Sequence, residues 1–84
     1  MKVTLSKTLD VDLNIYEYYI KIQDGDLEYD CKAQVDIEDI QQLKSIEVNN
    51  QVLRAMISDV VSKHPELLPA QETLMIILMG LAGN

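Results

Sequence analysis

Side chains able to do chemistry are few in this 84-residue chain: one histidine, one cysteine, four tyrosines and a run of acids in the first half. His64 stands just before Pro65, at an expected helix end, where it can serve the terminal carbonyls and the helix dipole. With no second histidine, neither a nucleophile triad nor a two-histidine metal site can be assembled from one chain. Cys31 falls between Tyr29 and Ala33 on an expected inward face, and apolar surroundings raise a thiol's pKa and make it inert. Asp24, Asp26, Glu28 and Asp30 invite a calcium reading. An EF-hand loop, however, needs glycine at its sixth position and glutamate at its twelfth, and Gly25 is misplaced for that. The three glycines, Gly25, Gly80 and Gly83, form no phosphate-binding loop, and there is no cysteine pair or HExxH pattern. No enzymatic activity, metal or cofactor is expected.

The tyrosines are more informative. Tyr16, Tyr18 and Tyr29 are expected to point inward as an aromatic core with their hydroxyls at the rim. Tyr19 should point outward beside Asp30, where an exposed aromatic among acids could act as a contact hot spot.

These residues are positioned by a hairpin. From Leu27 to Ile37 every odd position is apolar and every even one polar, the period-two pattern of a half-buried strand. Upstream, Tyr16, Tyr18, Ile20 and Ile22 alternate with Glu17, Tyr19 and Lys21. Asp24-Gly25 lies between the two runs as a favoured pair for a two-residue type I′ turn. That turn sets Gln23 opposite Asp26 and predicts the pairs Ile22:Leu27, Lys21:Glu28, Ile20:Tyr29, Tyr19:Asp30, Tyr18:Cys31, Glu17:Lys32 and Tyr16:Ala33. One face of the hairpin is then wholly apolar, and a one-residue slip would turn one strand's apolar set outward.

Residues 2 to 15 continue the alternation through Val3, Leu5, Leu9, Val11, Leu13 and Ile15, with Lys7 breaking the series. The simplest reading is a strand over 2–6, a turn at Ser6 to Thr8 and a second strand from Leu9. The phase change at Ile15-Tyr16 would then be a β-bulge, or else Asp12 to Asn14 turns the chain and there are four short strands. A short helix follows from Asp36 or Glu38 to about Ser45, with Ile37, Ile40 and Leu43 at helical spacing. Ile46 to Asn50 reads as a joint, because Asn49 and Asn50 suit an N-cap better than a helix interior. A longer helix from Gln51 to Lys63 gathers Leu53, Met56, Ile57, Val60 and Val61 on one stripe until Pro65 stops it.

Pro69 suits the first position of a last helix, with Glu72 in its opening turn. That helix carries six apolar residues in succession from Leu74 to Met79 and has no polar face. A chain this short has little interior to surround it. Contiguous apolar patches mark interaction sites, so Leu74, Met75, Ile77, Leu78, Met79 and Leu81 are expected to form an oligomer or partner interface. The bland alternative is that one side packs on the sheet and the rest is tolerated.

The expected fold is therefore α+β, one domain over 1–84. An antiparallel sheet of three to four strands, with its central hairpin at 16–37, is followed by two to three helices on one face. Fourteen acids against seven Lys and Arg give a net charge of −7. The excess is concentrated between Asp10 and Asp39, a distribution that opposes direct DNA or RNA binding. A single cysteine suits a reducing compartment such as the cytoplasm. No signal peptide is visible, and the longest apolar run is far below the roughly 20 residues of a membrane span.

Two function classes follow. The first is a small non-enzymatic interaction protein, a homo-oligomer engaging a basic partner through Glu17, Tyr19, Asp26, Glu28 and Asp30. It could inhibit or adapt a nucleic-acid-handling machine, and a viral or mobile-element origin would suit that role. The alternative is an oligomeric binder of a nucleotide or other small ligand at a subunit interface, which for an anion would need Lys44, Arg54 and Lys63 to converge across subunits. A third, duller reading is an accessory subunit of a larger assembly. No family resemblance is evident.

Overall fold

The structure, a computed structural model, describes residues 1–83. Three antiparallel strands, β1 (Lys2–Asp10), β2 (Ile15–Asp24) and β3 (Leu27–Asp36), form one sheet in chain order. A four-residue helix α1 (Ile37–Ile40) leads to α2 (Ser45–Lys63). A 3₁₀ segment over Pro65–Ala70 then joins it to α3 (Gln71–Leu81). The α+β class and the helices on one face are as the sequence indicates.

β1 runs unbroken through Lys7, so no turn occurs at Ser6 to Thr8. The chain reverses at 11–14, where Asn14 adopts φ +55° and the Asp10 carboxylate accepts the Leu13 N–H at 3.1 Å. That turn also explains the phase change without a bulge. β1 pairs with β2 so that Val3, Leu5, Lys7 and Leu9 face Ile22, Ile20, Tyr18 and Tyr16. Odd positions of one strand therefore share a face with even positions of the next.

The second hairpin keeps its expected faces but not its expected partners. Its turn is Gly25-Asp26, one residue later than the sequence suggests, so Ile22 opposes Tyr29, Ile20 opposes Cys31 and Tyr18 opposes Ala33. Gly25 has φ +62° and Asp26 has no positive φ. Glycine at the first central position is the type II′ arrangement, whereas type I′ would need the left-handed region twice. Each partner moves by two residues, and with a side-chain period of two no residue changes sides.

The inner face supplies Tyr18, Ile20 and Ile22, all fully buried, against Leu53 and Ile57 of α2 and Leu74 and Leu78 of α3. Each such side chain stabilises the fold by about 1.5–3 kcal/mol relative to exposure. α2 packs over β3 and α3 over β1, and the two helices pack on each other above the central strand.

Helix α2 begins at Ser45, six residues before the sequence suggests. Asn49 is helix interior and almost fully buried. Its side-chain oxygen accepts the Tyr18 hydroxyl at 2.7 Å, while Asn50 accepts Arg54 Nε at 3.0 Å. Both asparagines thus bond to partners of their own instead of capping. The Glu47 carboxylate instead accepts the Lys44 N–H at 3.3 Å at the true start. Pro65 ends α2 as expected, and Pro69 lies within the 3₁₀ segment rather than opening α3. Among the described residues no helix is long and apolar enough to cross a membrane.

Candidate interaction surfaces

Three surfaces remain once the core is formed. The first is the outer face of the sheet, which no other element covers. Period-two alternation places Glu17, Tyr19, Lys21, Glu28, Asp30 and Lys32 there. Tyr19 is central, opposite Ser6 on one side and Lys32 on the other. Its hydroxyl donates to Asp30 Oδ2 at 3.4 Å, and Lys32 Nζ lies 5.4 Å from its ring centroid. Lys21 pairs with Glu28 at 2.6 Å, and the hydrogen bond and charge of Glu28 push the Lys21 pKa up. Of the five residues expected to form an acidic partner-facing surface, the fold brings Glu17, Tyr19, Glu28 and Asp30 together. Asp26 lies apart, at the hairpin tip.

Lysines 21 and 32 interleave with those acids, so the outer face is mixed in sign. The larger negative excess is at one end of the sheet, where the β1–β2 turn meets α1 and Lys7 is the cation beside it. Asp10, Asp12, Asp36, Glu38 and Asp39 gather there, and no Lys or Arg occurs in segments 8–20 or 33–43. Two of these acids also shape the chain. Asp36 caps α1 by accepting the Glu38 N–H at 2.9 Å, and Asp10 holds the turn.

The second surface is a recess of about 240 Å³ at that same end, walled by Lys7, Tyr16, Ile37, Ile40, Leu43 and Val48. Lys7 points inward at the position that interrupts the apolar series. Its ammonium lies 4.7 Å from the Tyr16 ring centroid and 5.3 Å from that of Tyr18, and it donates to Asn49 Oδ1 at 3.2 Å. Two rings and a buried amide hold the cation, at distances where an aromatic face attracts it. Burial pushes the Tyr18 hydroxyl above its ordinary pKa, with neighbouring Tyr16 adding to the effect. In the sequence Lys7 marks only an irregularity in the apolar series; its place on the inner face follows from the unbroken length of β1.

The third surface is on α3. Leu74, Met75 and Leu78 are buried in the chain's own core, and Met79 is half-buried against it. These four are therefore not free to form the expected interface. Their arc packs on the sheet and on α2, the cover that a helix with no polar face requires. Ile76, Ile77 and Leu81 stay exposed, at 73%, 37% and 52%. Met75, Ile76 and Met79 border Arg54 of α2. At 100° per residue, Ile77 and Leu81 fall on the opposite flank, away from α2.

The remaining reactive groups have structural neighbours. His64 caps α2 through its backbone N–H to the Val60 carbonyl, and its ring meets Tyr29 edge-on at 4.8 Å. Tyr29 in turn donates to Glu66 at 3.2 Å. Burial raises the Cys31 thiol above its usual pKa, with the Asp59 charge adding to the effect. Among the described residues no three His, Cys, Asp or Glu side chains converge as a metal site. Lys44, Arg54 and Lys63 do not meet within one copy: Arg54 bonds Asn50, and Lys63 pairs with Asp59. Comparison with family models, curated proteins and solved structures finds no match for this chain, so its function has to be read from these surfaces.

Proposed function

We propose that the chain is a small acidic, non-enzymatic interaction module. It self-associates through the outward flank of α3 and engages a basic protein partner through the uncovered face of its sheet. The observation that carries this reading is the open outer face, with Tyr19 at its centre between Asp30 and Lys32 and five further acids at its end. Broad, aromatic-centred surfaces suit macromolecular contact, and an uneven negative field accelerates encounter with a positive partner. The surface of a nucleic-acid-handling protein has the required sign. Occupying such a surface would make this chain an inhibitor or adaptor, a role suited to a virus or mobile element acting in a reducing cytoplasm.

The test is affinity capture from the native host, comparing wild type with Tyr19→Ala and with Asp30→Asn. Supporting results are a basic protein released by moderate salt and lost with the Tyr19 variant. Capture of only further copies of the chain, or capture indifferent to salt and to Tyr19, overturns the reading. A small-ligand function is favoured by one observation, the apolar recess beside the Lys7 ammonium. A thermal-shift screen of nucleotides and small carboxylates with no stabilisation removes it.

A further inference from the structure

The sheet has two unpaired edges, and they differ. β3 carries Glu28, Asp30, Lys32 and Asp36 along its outer side, the charged dressing that keeps an edge from pairing. It also lies beneath α2, whose nineteen residues span about 28 Å, and Tyr29, Cys31, Ala33 and Val35 of the strand pack against the core. A second copy meeting β3 would drive α2 against its own equivalent.

β1 is nine residues long, without proline or bulge, and its outer side shows uncharged Thr4, Ser6 and Thr8 in the middle. α3 is only about 16 Å long over a strand of about 30 Å. Val3 and Leu5 are half-buried in the core, whereas Lys7 and Leu9 are exposed, Leu9 at 50%. One half of β1 is roofed and the other is open.

From this asymmetry we infer that β1 is the seam of a homodimer. Two copies pair β1 antiparallel about a two-fold axis at Ser6, making one six-stranded sheet. The axis must stand perpendicular to the sheet to keep all helices on one side, so only registers that preserve inner and outer faces are allowed. Among these, centring on Ser6 pairs all nine residues. It sets Lys2 against Asp10 of the second copy, Thr4 against its Thr8, Val3 against its Leu9, and Leu5 against its Lys7, whose stem can lie along the leucine while the ammonium stays on its own tyrosines. Opposite charges meet at both ends and threonines meet between them, the favourable cross-strand combinations. Centring on Lys7 would oppose two ammonium groups, so Lys7 acts as a register lock.

The antiparallel arrangement also resolves the helices. Each roofed half lies beside the open half of the other copy, so the two α3 helices are offset along the strands and do not collide. The exposed flank of Ile77 and Leu81 then runs beside Leu9 of the second copy, and three exposed apolar side chains per subunit gain cover.

This inference rests on the self-association part of the proposed function and is independent of any basic partner. Cysteine cross-linking tests it, in a Cys31→Ala background with mild oxidant. Cα atoms directly opposite on antiparallel strands are about 4.5–5.5 Å apart, within disulfide range. Ser6→Cys is therefore expected to give a covalent dimer, while Thr4→Cys and Thr8→Cys alone, displaced along the strand, do not. Lys2→Asp should weaken the dimer about tenfold through two symmetric contacts, and adding Asp10→Lys should restore it. A monomeric mass at high concentration overturns both self-association and this seam. A stable dimer that cross-links through Thr4→Cys, or through native Cys31 in the wild-type chain, leaves self-association standing and overturns the seam alone.

Discussion

The two ends of the sheet's inner face are built from the same strands and have different fates. At one end Ile20 and Ile22 are fully buried beneath α2 and α3. At the other, Lys7 and Leu9 remain exposed and Tyr16 only half-buried, under a helix of four residues and the segment that follows it. The difference teaches that apolar alternation marks a face that can be covered, while helix length decides how much of it is. α3 is too short to roof all of β1, and the remainder stays uncovered.

The largest expected effect sets these ends against each other. Leu53→Ala, at a fully buried position above the sheet, should cost about 2–5 kcal/mol. Leu9→Ala should stay within about 0.5 kcal/mol when measured at protein concentrations too low for association. Urea denaturation of both variants checks this, and equal losses would mean that the open end is packed after all.

A smaller effect comes from the group joining the two ends. Asn49 accepts from both Tyr18 and Lys7, so Asn49→Ala leaves a buried hydroxyl without its acceptor and should cost about 1–3 kcal/mol. Tyr18→Phe should cost less, about 1 kcal/mol, because Lys7 still satisfies the amide oxygen. In a double-mutant cycle the two losses should not add.

The smallest effect is in alkali. The folded chain holds the hydroxyls of Tyr18 and Tyr29 above the ordinary tyrosine value of 10.0, chiefly by burial. Both states keep these protons below pH 10, so stability there is unaffected. As pH rises past that value the unfolded chain ionises first, and stability falls until the folded pKa values are reached. Denaturation midpoints between pH 8 and 11 should decline at the upper end, less steeply for Tyr18→Phe.

How far the sequence could be read follows the same division between local and distant causes. Sheet faces, the hairpin, the Pro65 stop and the α2 stripe were legible because period and punctuation are local signals. The hairpin turn was misplaced by one residue because Asp24-Gly25 and Gly25-Asp26 both fit a two-residue loop, and the choice of glycine position belongs to the backbone. Lys7 and Asn49 resemble, from their neighbours alone, a strand break and a cap. Each is satisfied by residues far along the chain, Asn49 by Tyr18 thirty-one positions away. Four of the six residues expected at the α3 interface belong to the core for a related reason: periodicity cannot say which arc of an all-apolar helix the sheet will take.

The packing of α3 on β1 brings the last element of the fold against the first. Neighbouring strands can zip as they are synthesised, since sequence-local contacts form quickly, but the strand made earliest waits longest for its cover. On the ribosome, the β1 side of the nascent sheet therefore stays wet until residues 71–81 emerge. That interval is when chaperones, or a neighbouring nascent chain, have access to it.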